Sequence, residues 1–367
     1  MAYVAARGGE AAIQAAEALA LRHLAEVSAD QIAWVEAHLS LLVDRVMGEA
    51  SLYAPRLAAL ALVQSGGELE GAVLLLRAYR STQPRIQAAQ PVTDASMTSL
   101  RRVSAAFKDI PGGQHLGATL DYSHRMLRLD LLDQGRSALP AVSVAQTPAP
   151  AHAESVSLWL RREGLLPQLP DLAGEVVFDV TREPLTFPAP RAARLQSLAR
   201  AETGGVLALG YANMVGYSGV HPTVGEVRLA QAEVTLRHPV SGELFSAGRV
   251  RVSRGEIVAP TPEGASASGG AQGSLSLGCC AALGWNETKL IAGGVLDLAM
   301  DQPQAHPALQ EEFVLNHTES VEASGFCLHF KLPHYVTFAS ELDRVRAERT
   351  RNAQPDIAAF EPPEVSV

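Results

Sequence analysis

Two histidines in GFCLHFKLPHYVTF, residues 325–338, have the type and spacing that most directly suggest a metal. An alternating apolar run through FCLHF predicts a strand, with Cys327 and His329 on one face and Phe326, Leu328 and Phe330 on the other. Pro333 interrupts strand pairing and can turn His334 back toward His329. Two imidazoles could then meet on one ion, at zinc–nitrogen distances of about 2.0–2.1 Å. Two ligands do not complete such a site, and Cys327 is the local candidate for a third. Spacing alone leaves open both a metal pair and a pair of structural histidines.

A second concentration of chemistry lies between residues 77 and 125. From 77 to 108 there are six basic residues, Arg77, Arg80, Arg85, Arg101, Arg102 and Lys108, against one acid, Asp94. Guanidinium groups pair bidentately with phosphate or carboxylate, so this excess suits an anionic ligand. A solvated helix face paired to distant acids explains it equally simply. KDIPGGQHLG follows, and backbone N–H groups at Gly112 and Gly113 could approach a phosphate closely. It is not a Walker A loop, and a turn between helices accounts for it too. Asp121, Tyr122 and His124 then supply a carboxylate, a phenol and an imidazole within one turn, groups suited to acid–base work or to structural polar roles. GYANMVGYSGVHPTVGEVR, residues 210–228, reads as either a binding loop or a long connection before a strand.

These residues need a scaffold, and the bulk composition sets its limits. The chain has 367 residues, long for one domain, with 47% hydrophobic and 19% charged residues, as in a globular protein with a sizeable core. A net charge of -9 argues against a general nucleic-acid binder, which needs a basic footprint. MAYVAARGGEAAIQ has no apolar h-region and no small-residue cleavage site, so no signal peptide is expected, and no apolar run reaches the roughly 18 residues that span a bilayer. Three cysteines, Cys279, Cys280 and Cys327, do not form a disulfide framework, so a reducing cytoplasm is expected.

Helical spacing predicts helices over about 10–26, after a capping box at Ser28 and Gln31, from Pro55 to a Gly pair, and through ELEGAVLLLRAYR. A helix is expected to resume near Asp121. SVSLWLRREG, PRAARLQSLARAETGG and NETKLIAGGVLDLAM also read as helices, the last capped by Asn286. Strands are predicted at GEVVFDV, GVLALGYANM, EVRLAQAEVTL, GRVRVS and EIVAP, the last two joined at Arg254 and Gly255. The class is α+β: a helical N-terminal half, then a mixed, mainly antiparallel half. The expected organisation is a helical domain over 1–136, an Ala/Pro/Ser-rich linker over 137–153, a mixed domain over 154–350 and a mobile tail over 351–367.

Taken together, YVAARGGEAAI, VDRVMGEA, LLLRAYR, RRVSAAFKDIPGGQHLGATLDYSHRML, HPTVGEVR, EEFVLNHTESVEASGF and HFKLPHYVTF resemble the PhnI subunit of the bacterial carbon–phosphorus lyase core complex. These stretches cover nearly the whole chain. FKDIPGG and KLPHYV are specific strings. Ala2 before Tyr3, Arg7 in place of a usual lysine, the linker and the 260–275 loop depart from the family pattern.

The resemblance implies an enzyme subunit that displaces the purine base of ATP or GTP with an alkylphosphonate, giving a ribose 1-alkylphosphonate 5-triphosphate. Alone, such a subunit behaves as a nucleosidase. The resemblance also implies PhnG, PhnH, the radical iron–sulfur subunit PhnJ, and the ATP-binding-cassette-type PhnK and PhnL as partners, and magnesium with the nucleotide. Zinc held by an H-x4-H pair, carried over to His329 and His334, is implied near the PhnJ interface, with Cys327 outside that pattern. Under this reading Arg77, Arg80, Arg101, Arg102, Lys108, Gly112 and Gly113 are candidates for phosphate, and Asp109, His115, Asp121 and His124 for acid–base or cation-stabilising roles. The alternative is a mainly structural subunit that presents its zinc to the radical subunit.

Overall fold

The computed structural model describes residues 9–121, 126–134, 153–169, 177–217, 221–261, 274–302 and 305–353. Five helices open the chain: α1 (Gly9–Ala25), α2 (Ala29–His38), α3 (Ser40–Ala50), α4 (Pro55–Gln64) and α5 (Leu69–Ser81). The expected capping box closes α2, with Gln31 N–H donating to Ser28 Oγ at 3.2 Å and Ser28 N–H to Gln31 Oε1 at 2.8 Å. Pro55 starts α4, where its missing N–H costs no hydrogen bond. α3, α4 and α5 bury one apolar cluster that includes Val43, Val46, Met47, Leu62, Val73 and Leu76.

Strand β1 (Met97–Val103) comes next, then the short helices α6 (Asp130–Gln134) and α7 (Val156–Arg162), and the pair α8 (Arg191–Arg200) and α9 (Thr203–Ala212). β2 (Thr223–Arg237), β3 (Leu244–Pro260) and β4 (Leu275–Leu283) complete a four-stranded sheet in the order β1-β2-β3-β4, every neighbour antiparallel. α10 (Glu287–Met300), α11 (Glu311–His317), α12 (Ser320–His329) and α13 (Tyr335–Ala353) follow. The fold is α+β, with helices first and an antiparallel sheet with helices after.

The two faces of the sheet differ. One carries Val227, Cys280 and Ala282 into a core shared with Leu290 and Leu296 of α10. Gly255 sits within β3 because a Cβ there would meet the Leu290 Cβ at 2.9 Å. On the other face a row of arginines crosses three strands, since Arg102 pairs with Arg228 and Arg228 with Arg254. Glu226 and Glu256 lie opposite one another two residues along. α7 packs at the end of this charged face, where Val156 and Leu160 join Val258, and Trp159 meets Phe107 edge to face at 5.2 Å.

The chain divides into two compact units. One spans His23–Glu322. The other takes in the two chain ends, Met1–Arg22 and Ala323–Val367. Among the described residues no single helix is long and apolar enough to cross a membrane.

Several expected elements change type. GVLALGYANM folds as helix α9 and a following π-helical turn, not a strand, because the Glu202 carboxylate accepts from the N–H groups of Gly204 and Gly205 and caps it. FCLH ends helix α12 and Phe330 follows in a turn, and Phe326 and Phe330, four residues apart, meet edge to face at 4.9 Å. GRVRVS and EIVAP are one continuous strand, β3. β1 and β4 were not expected. Residues 177–179 of GEVVFDV are not in a strand, and the helix expected near Asp121 begins at Asp130. Most of the 137–153 linker, the 260–275 loop and the tail beyond 353 lie outside the described residues, whereas 351–353 finish α13.

Candidate functional site

The loop after β1 turns back along that strand. Arg102 and His115 exchange backbone hydrogen bonds, each 2.7 Å long. Gly112 and Gly113 both have φ of +76°, a conformation that favours glycine. At Gly112 a Cβ would also collide with Ala153, whereas Gly113 faces open space. The Gly113 N–H donates to Ile110 O at 2.8 Å, closing the turn on itself.

Arg102 holds this loop from beneath. Its side chain is fully buried, and Nη1 donates to the carbonyls of Pro111 and Gly113. Nη2 donates to Glu154 O at 2.7 Å and to Glu226 Oε2 at 2.8 Å, and Nε reaches the same carboxylate at 3.1 Å. Glu226 also accepts from Arg228 Nε at 2.6 Å and from the Val156 N–H at 3.2 Å. Asp94 accepts from Arg254 at 2.9 Å and from the Ser155 N–H at 2.8 Å, which ties α7 to the network.

The two buried glutamates diverge. Burial alone would raise the Glu226 carboxyl, but Arg228 and Arg102 outweigh it and hold the group below the usual carboxylate range. Burial pushes Glu256 up, reinforced by the Glu226 charge, beyond what Arg254 and the Ser157 hydrogen bonds offset.

Arg101 points elsewhere. It donates to Glu287 Oε1 at 2.6 Å, to Leu116 O at 2.8 Å and to Asp121 Oδ2 at 2.5 Å, so Arg101 and Asp121 are brought together. Lys108 and Asp109 are exposed on the same loop, and His115 is half-buried. His124 and Tyr122 lie outside the described residues. Arg77 and Arg80, on α5, are separate from this group. Arg77 pairs with Glu319 and donates to Glu49 O at 2.8 Å, and Arg80 donates to Ala50 O. The basic run of the sequence thus divides between two places.

His329 ends α12, and Pro333 lies just ahead of α13. The two imidazoles meet, with their Nε2 atoms 3.2 Å apart. His334 Nδ1 lies 2.6 Å from Leu332 O. A carbonyl only accepts, so Nδ1 carries the proton and Nε2 presents its lone pair. Two nitrogens on one tetrahedral zinc ion would stand about 3.3–3.4 Å apart. The pair therefore fits shared ligation of such an ion. Among the described residues no group of three or more His, Cys, Asp or Glu is placed to hold a metal. Phe326, Leu328, Phe330, Tyr335 and Phe338 around the pair are exposed.

Glu226, Arg228, Arg254, Glu256 and Glu287 were not singled out from the sequence. The signal was present in HPTVGEVR, which carries Glu226 and Arg228. Burial pushes both Cys279 and Cys280 up to about 12.

Residues 2–352 match the family described as bacterial phosphonate metabolism protein (PhnI), and the chain belongs to it. A relative in Stutzerimonas stutzeri, named "Putative C-P lyase subunit protein HtxH", is 46% identical over 97% of this chain and 98% of its own. Two relatives named alpha-D-ribose 1-methylphosphonate 5-triphosphate synthase subunit PhnI are 42% identical in Rhizobium meliloti (strain 1021), over 95% of each chain, and 38% identical in Escherichia coli (strain K12), over 94% of this chain and 97% of that one.

Proposed function

We propose that this chain is the subunit of a carbon–phosphorus lyase core complex that joins an alkylphosphonate to the ribose of ATP or GTP. The observation that carries this reading is near full-length similarity to two chains named as subunits of the corresponding synthase. In the reaction the C1–N bond to the purine breaks as a phosphonate oxygen bonds to C1, and the base leaves with a proton. The product is a ribose 1-alkylphosphonate 5-triphosphate. With water as nucleophile the same chemistry is nucleosidase activity.

Such a displacement passes through an oxocarbenium-like state, which a carboxylate stabilises and a general acid assists. Asp121, oriented by Arg101, suits the first role. Asp109, His115 and His124 are the remaining candidates for proton transfer. Lys108 is an exposed cation on the same loop, available to an anionic group of phosphonate or triphosphate. Arg102 lies fully buried, so its contribution is to hold the Pro111–Gly113 turn in place. Magnesium enters with the nucleotide.

His329 and His334 would hold a zinc ion, completed by a partner or a substrate oxygen. Bound there, zinc would supply Lewis-acid stabilisation to an anionic oxygen. PhnG, PhnH, PhnJ, PhnK and PhnL are the proposed partners, in the cytoplasm. The exposed aromatic side chains around the histidines favour a second reading, a scaffold subunit that presents zinc to PhnJ. Purified chain supplied with MgATP separates the two. Free adenine that survives further purification, and falls with Asp121→Asn, supports the enzyme. Its absence in both the free subunit and the assembled complex supports the scaffold.

A further inference from the structure

Arg101 serves two carboxylates at once. Nε donates to Glu287 Oε1 at 2.6 Å and Nη2 to Asp121 Oδ2 at 2.5 Å, while Nη1 takes Leu116 O at 2.8 Å. Nε and Nη2 share one edge of the guanidinium. Where one carboxylate alone meets that edge in this chain, it takes both donors. Arg102 gives both to Glu226 at 3.1 and 2.8 Å, Arg128 gives both to Asp130 at 2.8 and 2.6 Å, and Arg251 gives both to Asp44 at 3.0 and 2.6 Å. At Arg101 the edge is divided. Glu287 holds Nε, so Asp121 is confined to Nη2 through one oxygen, and its Oδ1 makes no hydrogen bond to the arginine. The Asp121 side chain is 43% exposed and that of Arg101 only 7%, so a ligand can reach the carboxylate but not the guanidinium.

Each of the three groups is fixed by its own element. Arg101 leaves β1 just after a register shift between Ser99 and Arg101, an irregularity of the kind that re-aims a side chain. Gly117 has φ of +65°, and a Cβ there would run into Leu100 O, so the loop that returns Asp121 lies flush against β1. Glu287 opens α10, where the helix dipole favours a carboxylate. That end of α10 is pinned on three sides. The Asn286 amide donates to Thr203 Oγ1 at 3.0 Å, the Trp285 N–H donates to Asp44 at 3.0 Å, and the buried Lys289 donates to Ala199 O at 2.6 Å.

We infer that Glu287 is a positioning residue for the displacement at the ribose, acting through Arg101. By occupying Nε it keeps Asp121 on a single oxygen and leaves Oδ1 for the cationic ribosyl centre. Without it Asp121 closes onto both Nε and Nη2, and both its oxygens are drawn onto the arginine. The inference rests on the role given to Asp121 above.

Steady-state adenine release from MgATP by the full chain, assembled with its partner subunits, tests it. Glu287→Ala should lower kcat about tenfold to a hundredfold, the scale of a misplaced reacting group. KM for MgATP should stay within about twofold, because the lost contact serves the transition state and not binding. Glu287→Gln keeps an acceptor for Nε and should recover most of the loss. Glu287→Asp keeps the charge but withdraws the acceptor by one methylene, so it should be slower than Glu287→Gln. In an Asp121→Asn background Glu287→Ala should slow the reaction no further, since the carboxylate that it positions is gone, whereas a merely structural residue would lower the rate by its own factor again. Full activity in Glu287→Ala, an additive loss in the double variant, or Glu287→Gln slower than Glu287→Asp would overturn the assignment while the nucleosidase reading stands. Full activity in Asp121→Asn would remove the role of Asp121 and this assignment with it. A wild-type complex that releases no adenine would overturn both the assignment and the reading.

Discussion

Removing the carboxylate of Glu226 should be the most damaging single change in the charged layer of the sheet. The group is fully buried and receives four hydrogen bonds: two from Arg102, at 3.1 and 2.8 Å, one from Arg228 at 2.6 Å and one from the Val156 N–H at 3.2 Å. Glu226→Ala leaves two guanidinium groups in the interior without this counter-charge. Losing one partner of a buried pair costs about 3–5 kcal/mol, a large share of the roughly 5–15 kcal/mol that holds a domain together. At about 2 °C per kcal/mol for a chain of this size, the melting temperature should fall by roughly 6–10 °C. Glu226→Gln keeps an acceptor and should lose less, about 1–3 kcal/mol. Amide exchange at Arg102 and His115 should accelerate in both variants, because Arg102 carries the Pro111–Gly113 turn. The exposed pair Arg346–Asp343 supplies a control, and Arg346→Ala should shift melting by less than about 1 °C. A Glu226→Ala protein that melts within 2 °C of wild type would show that water or rearrangement compensates the charge, and the buried-layer account would be wrong.

Three further outcomes follow from the same geometry. Gly112→Ala should cost clearly more stability than Gly113→Ala, because both pay about 1–2 kcal/mol for a left-handed residue and only Gly112 also meets Ala153; equal losses in chemical denaturation would contradict this. Glu319 is held below the usual range, since Arg77 and Arg200 outweigh its burial, so it binds fewer protons folded than unfolded near pH 4. Its contribution is present above the unfolded carboxylate pKa of about 4.3 and is lost as pH falls through the lower folded value, so Glu319→Gln should flatten the stability profile below about pH 5, and an unchanged profile would count against the pairing. Elemental analysis of the purified complex should find about one zinc per copy of this chain, and the double change His329→Ala with His334→Ala should remove it without loss of assembly; zinc retained in the double variant would return both residues to a structural role.

The sequence made some elements legible and hid others for physical reasons. Ser28 with Gln31, Pro55 and Asn286 are local signals, each satisfied by neighbours within three residues, and all three helix starts appear where they point. β1 was hidden because its arginines look like a solvated face, whereas Arg101 and Arg102 are buried and answered by Glu287 and Glu226, more than a hundred residues away. GVLALGYANM is a short apolar run, and such runs do not distinguish helix from strand by period. Its Glu202 cap was readable in ETGG. The approach of His329 and His334 was legible from Pro333, although the element that carries His329 is a helix. The division of the basic run between α5 and β1 was not legible, because it depends on which distant carboxylates each arginine meets.

The central claim is that a phosphonate oxygen replaces the purine on the ribose, and oxygen labelling tests it most directly. The assembled complex would receive MgATP and methylphosphonate carrying 18O at its three oxygens, with adenine followed by chromatography and the ribosyl product by mass spectrometry. The account predicts adenine released in step with a ribose 1-methylphosphonate 5-triphosphate that keeps all three labelled oxygens, one of them now bonded to C1. Adenine released with only unlabelled ribose 5-triphosphate, or methylphosphonate left unjoined while adenine stays on the nucleotide, would contradict it.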